Sequence, residues 1–282
     1  MQAIDLHSHS RVSDGVLTPS GLVQRAFENG VRMMALTDHD EVSGIAEAKA
    51  EAGKLGIQLV SGVEISITRA GKTIHIVGLH VDENNPVLVD RLWNNRGGRE
   101  ARAQQMGKRF ASLGIEGAYQ GALRYVTNPS LISRKHFARF LVDEGVCPTV
   151  SKAFDRFLKE GGPAYVEHSW ATLEEAVTWI REAGGLAVIA HPGRYDLSDL
   201  ARHAFLDEFK QLGGVGIEVV TGSHTPDQYL EYARIADRYG FLASIGSDFH
   251  AAGESPVDVG RLPDFPCRVN PIWESLLFNT SC

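Results

Sequence analysis

The side chains with most chemical potential in this 282-residue chain are histidines and carboxylates that follow short apolar runs. His7 and His9 flank Ser8 directly after Ile4-Asp5-Leu6, and Asp14 lies five residues further on. Side chains two apart on an extended segment point the same way. Both imidazoles can therefore reach one cation, and Asp14 can reach the same ion or its neighbour. His39, Glu64, His75, His191, Asp248 and His250 recur in the same kind of setting. Six histidines and three carboxylates exceed one tetrahedral site, and with N and O donors alone they suit two or three divalent ions sharing a bridging carboxylate. Such ligation is compatible with Mn²⁺, Zn²⁺ or Fe²⁺ and does not choose among them.

These residues need a scaffold that brings distant segments to one rim. Thr18-Pro19 starts a helix whose apolar stripe is Leu22, Val23, Ala26 and Phe27. Strands are expected over 33–37, ending in Asp38-His39-Asp40, and over 59–63, ending on Glu64, with a helix over 42–55 between them. A further strand over 73–79 contains His75 within it. The alternation of strand and helix predicts parallel β/α units, whose strand C-termini form one chemically active rim. After the turn-rich Asp82-Glu83-Asn84-Asn85-Pro86 the signals become helical, over 87–109, 121–125, 134–144 and 150–158. The β/α rhythm resumes with a helix over 173–183 and strands over 186–190, 216–220 and 242–245, a helix over 227–239 preceding the last. Residues from 264 are expected to add a strand or loop and a short helix. The fold class is thus α/β, a seven-stranded barrel formed by 1–83 and 163–282, with 84–162 as a helical insertion or cap.

The net charge of −7 argues against a long polyanion as ligand, but it is unevenly distributed. From Asn84 to Phe140 ten Lys and Arg face three acids, giving +7 locally and −14 elsewhere. No run approaches the ~18–20 apolar residues of a membrane span, and no secretory signal is expected. Cys147, Cys267 and Cys282 form no CxxC, which suits a reducing cytoplasm.

His7-Ser8-His9, Thr37-Asp38-His39-Asp40, Gly62-Val63-Glu64, Ala190-His191-Pro192 and Gly246-Ser247-Asp248-Phe249-His250, in this order, resemble the PHP (polymerase and histidinol phosphatase) family. The resemblance implies a distorted seven-stranded β/α barrel with a trinuclear centre. His7, His9, Glu64 and Asp248 would hold one ion, with Glu64 bridging; Glu64, His75 and His191 a second; Asp14, His39 and His250 a third. Many relatives have histidine where this chain has Asp14, and an oxygen donor there favours a Mn²⁺-type ion.

Arg99, Arg102, Ile132-Ser133-Arg134-Lys135-His136 with Arg139, and Arg194 after His191-Pro192-Gly193 resemble the branch of that family acting on nucleotides. Ser133 as N-cap would put Arg134, Lys135 and His136 in a first helical turn, where an anion is favoured. Arg99 and Arg102 share a helix face. Ser133 and these basic residues, with Arg194, are the expected substrate contacts, and Asp248, His250 and Asp14 the expected catalytic residues. His224 and Glu218, like His168 and His203, are read as structural or surface residues, with His224 near the rim. The implied reaction removes the 3′-phosphate of a nucleoside 3′,5′-bisphosphate. The alternatives are a 5′-to-3′ exoribonuclease on short RNA, a histidinol phosphatase, a metal-binding module without catalysis, and an amidohydrolase. No membrane association and no obligate protein partner are expected.

Overall fold

The computed structural model describes residues 3–278. Seven strands, β1 (Ala3–Asp5), β2 (Val31–Leu36), β3 (Gln58–Arg69), β4 (Lys72–Leu79), β5 (Leu186–Ile189), β6 (Gly216–Thr221) and β7 (Leu242–Gly246), pair in sequence order. Beyond β1 and β7 the ring is drawn together by Leu6 N–H donating to Ile245 O (2.9 Å), Asp248 N–H to His7 O (2.8 Å) and His9 N–H to Phe249 O (2.9 Å). The result is a nearly closed seven-stranded α/β barrel.

Helices α1 (Pro19–Glu28), α2 (Ile45–Leu55), α8 (Leu173–Glu182), α9 (Asp199–Gln211) and α10 (Pro226–Tyr239) lie along the barrel strands. Their buried faces, such as Leu22, Val23 and Ala26 of α1 and Ala176, Val177 and Ile180 of α8, join the apolar residues of the strands in one core. Between β4 and β5 the chain is helical: α3 (Pro86–Arg96), α4 (Arg99–Ser112), α5 (Ala118–Leu123), α6 (Arg134–Asp143) and α7 (Val150–Ala153), followed by a wide π-type turn at 154–158. Most of this segment packs on its own core, in which Phe110, Phe137 and Leu141 are fully buried. A last helix, α11 (Ile272–Phe278), follows a bridge between Ala243 and Pro271.

Three expectations change, and one helix, α9, is additional. The sheet is not wholly parallel, because β4 runs antiparallel to both β3 and β5. Ala70 and Gly71 (φ 49° and 77°) form a two-residue turn between β3 and β4, and such a turn permits only a hairpin. Nor does β3 end at Glu64. It pairs with β2 through Ser61 and then continues to Arg69 against β4. Glu64 nevertheless sits level with the end of β2, where it bridges to His39. The helix expected over 87–109 breaks at Gly97-Gly98, with Gly98 left-handed (φ 85°), so α3 and α4 diverge. Finally, α9 fills the β5–β6 crossover on a sparse stripe of Phe205, Leu206 and Phe209 in an otherwise polar run.

β7 passes close to β1 at Gly246. A Cβ on Gly246 would stand 2.2 Å from the Cβ of His7. Gly246→Ala is expected to cost at least ~2 kcal/mol of stability, as overpacking in a filled core does, measured by denaturant unfolding; an unchanged midpoint would contradict this account of closure.

Candidate metal centre and anion pocket

Glu64 is fully buried and is met by five imidazoles from four segments. His7 Nε2 and His9 Nε2 each lie 3.3 Å from one of its oxygens, His39 Nδ1 2.8 Å, and His75 Nδ1 and His191 Nε2 2.9 Å each. Asp248 adds an oxygen 3.2 Å from His9 Nε2 and 3.6 Å from His7 Nε2. On the far side of His9, Asp14 Oδ1 lies 3.1 Å from His250 Nε2 and 3.8 Å from His39 Nε2. The structure thus brings all nine residues into one cluster, in three overlapping sets: His7, His9, Glu64 and Asp248; His9, Asp14, His39 and His250; and His39, Glu64 and His75. His191 joins through Glu64 and stands beside His75, ring centres 5.3 Å apart.

The local backbone explains why the side chains converge. His191 and Asp248, and Asp40 next to His39, all have left-handed φ (28°, 54° and 51°) although none is glycine. Such strain persists only where surrounding contacts hold it, and it clusters at functional sites. The 10–14 loop is fixed by buried Asp38, whose carboxylate accepts from the N–H and hydroxyl of both Ser10 and Ser13. Asp5 accepts from the N–H groups of His7, Ser247 and Gly260, so the segments carrying His7 and Asp248 share one carboxylate.

Polar chemistry in the cluster fits cations. His9 Nδ1, Asp14 Oδ1, His39 Nδ1, Glu64 Oε2, His75 Nδ1 and His250 Nε2 are buried without hydrogen-bond partners. A buried polar atom without a partner is costly, and six of them facing one space point to something they could ligate. Most protonation states agree; the exceptions are His7 and His9, which, against the pull of burial, neighbouring carboxylates hold above the usual imidazole range, His9 at about 9. Burial would raise the carboxyls of Glu64, Asp14 and Asp248, but the adjacent imidazoles reverse this and hold all three well below the usual range. Burial pushes His191 and His250 down to about 3, assisted by Arg194 and Lys135 respectively. Their lone pairs are therefore free at neutral pH. Divalent ions with mixed imidazole and carboxylate ligands suit these donors.

Over the cluster lies a cavity whose opposite wall is cationic: Arg99, Arg102, Arg134 and Lys135 from α4 and α6, and Arg194 from the turn after β5. Arg99 is paired with Asp40, and Arg194 Nη1 donates to Asp248 Oδ2 at 2.9 Å. Arg102 and Arg134 have no carboxylate partner among the described residues. Arg102 donates to Val166 O (2.8 Å) and Arg134 only weakly to Leu158 O (3.4 Å), while Tyr165 lies 5.7 Å from each guanidinium. Burial, then Arg134 and Arg99, push Arg102 down to about 9. A guanidinium does not give up its proton in proteins, so Arg102 keeps its charge in a buried setting that disfavours it.

Two expected contacts have other employment. Ser133 caps α6 and its hydroxyl donates to Asp14 Oδ2 (2.9 Å), which leaves Asp14 Oδ1 for the cluster. His136 is fully buried behind the cavity wall, where its Nδ1 accepts from Ser133 N–H and completes the cap.

Glu218 is the residue whose importance sequence reasoning understated. It is buried, its Oε1 lies 2.7 Å from His7 Nδ1, and its Oε2 accepts from His191 N–H. That contact fixes the His7 tautomer with Nε2 facing the cluster. The available signal was an acid inside the apolar run Gly216-Ile217-Glu218-Val219-Val220. Glu218→Gln is expected to weaken divalent-metal affinity about 10–100-fold with the fold retained, read by competition with a chelating dye alongside circular dichroism; unchanged affinity would contradict this role.

Residues 5–117 match the PHP domain. Over 98% of its length the chain is 49% identical to the 3′,5′-nucleoside bisphosphate phosphatase of Chromobacterium violaceum, covering 97% of that protein. It is 40% identical to a 5′-3′ exoribonuclease of Haemophilus influenzae, with 96% of this chain and 97% of that one aligned. A solved structure described as an amidohydrolase from Chromobacterium violaceum, with bound sulfate and no metal, superposes with a TM-score of 0.95 at 48% identity, covering 98% of this chain and 96% of that one. The chain belongs to the PHP family and is one of its metal-dependent hydrolases.

Proposed function

We propose that this protein removes the 3′-phosphate from nucleoside 3′,5′-bisphosphates, leaving a nucleoside 5′-phosphate and inorganic phosphate. One observation carries the reading: a single cavity joins a cluster of buried metal-type donors to a wall where Arg102 and Arg134 lack carboxylate partners. A substrate with one phosphate would satisfy only the first; a bisphosphate satisfies both.

His7, His9, Asp14, His39, Glu64, His75, His191, Asp248 and His250 would hold two or three divalent ions, Mn²⁺ foremost, with Glu64 bridging. When bound, such ions lower the pKa of water and neutralise phosphoryl oxygens. Arg194, half-exposed beside Asp248, contributes N–H groups to the reacting phosphoryl. Arg99, Arg102, Arg134 and Lys135 hold the second phosphate, and this remote anchoring orients the scissile one beside Asp14, Asp248 and His250. Ser133 and His136 act by shaping the α6 terminus. In this reading 84–162 forms a cap on a barrel made by 1–83 and 163–282. A cytoplasmic location is part of this reading and is in keeping with the scattered cysteines, of which Cys147 and Cys267 are free and Cys282 lies outside the described residues. No described helix is long and apolar enough to cross a membrane.

The second reading, 5′-to-3′ cleavage of 5′-phosphorylated RNA, would break the same kind of bond at a ribose 3′ oxygen, with a nucleotide attached to the scissile phosphate. It draws on the exoribonuclease relative and on an open groove that shares Thr73, Arg134 and Arg194 with the cavity. Incubating Mn²⁺-loaded protein with adenosine 3′,5′-bisphosphate or a 5′-phosphorylated oligonucleotide separates the two. Phosphate release from the bisphosphate, abolished by EDTA, is expected; cleavage of the oligonucleotide alone would overturn the first reading. Arg134→Ala should raise KM for the bisphosphate about tenfold or more, the loss of a charge-assisted hydrogen bond, whereas Asp248→Asn should abolish turnover.

A further inference from the structure

The turn that carries His191 and Arg194 is gripped from the outside of the cluster by two residues that no part of the proposed mechanism uses. Gly193 N–H donates to His224 Nε2 (2.9 Å), and Gln228 Nε2 donates to Gly193 O (3.1 Å). Both peptide units of Gly193 are thereby fixed, including the one whose nitrogen begins Arg194. The grip is close enough to constrain the residue. A Cβ on Gly193 would stand 2.6 Å from Gln228 Nε2 and 2.8 Å from His224 Cδ2, so a larger residue would push the two side chains off these hydrogen bonds.

Each gripping side chain is itself held. His224 is buried, lies parallel to the Tyr232 ring with centres 4.8 Å apart, and has Nδ1 3.1 Å from Val219 O. A carbonyl can only accept, so Nδ1 carries the proton and Nε2 is left as the acceptor that Gly193 requires. Gln228 is the third residue of α10, where its Oε1 accepts from Thr225 N–H in a capping box (2.9 Å). Glutamate would serve that cap equally well, but only an amide can also donate to Gly193 O.

From this geometry we infer that His224 and Gln228 are positioning residues that set Arg194 for the anionic substrate, acting through the Gly193 backbone. The inference rests on the proposed role of Arg194 in holding phosphate. Arg194 is half-exposed and anchored at one end by Asp248, so the direction of its remaining N–H groups depends on where its backbone is held. Arg194 N–H also donates to His191 O at 3.0 Å, which closes the turn on its inner side. With the inner side closed by the turn itself and the outer side by α10, Arg194 meets a phosphoryl group already oriented, which is how a charge-assisted contact becomes catalytic advantage.

The test is a double-mutant cycle on the Mn²⁺-loaded full chain with adenosine 3′,5′-bisphosphate. His224→Phe keeps the ring on Tyr232 and removes the acceptor; Gln228→Glu keeps the cap and removes the donor. Each is expected to raise KM about tenfold with a smaller change in kcat, as Arg194→Ala does, and neither should add to Arg194→Ala in the double variant. Metal content by mass spectrometry should equal that of the unaltered protein. If His224→Phe fails to fold, Gln228→Glu carries the test, because its helix cap is intact. Unchanged KM in the clamp variants, effects that multiply with Arg194→Ala, or loss of metal pointing to action through His191 would each overturn the inference while leaving the role of Arg194 standing. An unchanged KM in Arg194→Ala alone would remove that role and the inference together.

Discussion

The structure depends on one buried carboxylate. Glu64 lies at the centre of five imidazoles contributed by the segments after β1 and β2, by β4 and by the turn after β5. An ionised carboxylate without solvent is tolerated only when it is paired and hydrogen-bonded, and so many ring nitrogens around one acidic side chain give that pairing a direction. The strand arrangement follows from the same requirement. By carrying β3 past the end of β2 into a hairpin with β4, the chain puts Glu64 at the rim and brings His75 back alongside it. An all-parallel sheet would have sent the chain away at that point.

A second set of contacts fixes the helical segment over the barrel mouth. Asp40, next to His39, accepts from the N–H and hydroxyl of Ser66, from Asn95 Nδ2 and from Arg99, while its carbonyl oxygen accepts from Arg96. Ser133 at the start of α6 donates to Asp14 in the cluster itself. The wall that would bind an anion is therefore tied to the residues beneath it by buried hydrogen bonds rather than resting on them by apolar packing alone. Arg99 has its charge answered by Asp40 and stacks over Trp170, 4.5 Å from the ring centre, whereas Arg102 and Arg134 have no carboxylate partner among the described residues. Within one basic wall, Arg99 is tied to the scaffold through Asp40 and still lines the cavity.

Much of this is written locally. Histidines and acids directly after apolar strands announce the cluster, because a strand end is where period-two geometry delivers side chains to a rim. The count of seven strands and the helical character of the insertion follow from equally local patterns. What is not local is not legible. The antiparallel course of β4 depends on a two-residue turn, and α9 on three aromatic and aliphatic residues in a polar run. Glu218 reads as a stray acid until a partner 211 residues away, His7, is brought to it. His136 reads as a ligand contact because a helix start rich in basic residues looks the same whether its third side chain faces a ligand or turns back to complete the cap.

The central claim is that Glu64 is shared by more than one divalent ion, and metal stoichiometry tests it most directly. After loading with Mn²⁺ and removal of excess, mass spectrometry of the intact protein should find two or three ions per chain, one for each overlapping donor set. Glu64→Gln, which keeps the shape and removes the charge, should lose more than one of them together. A single ion in the unaltered chain, or a full complement retained by Glu64→Gln, would contradict the account.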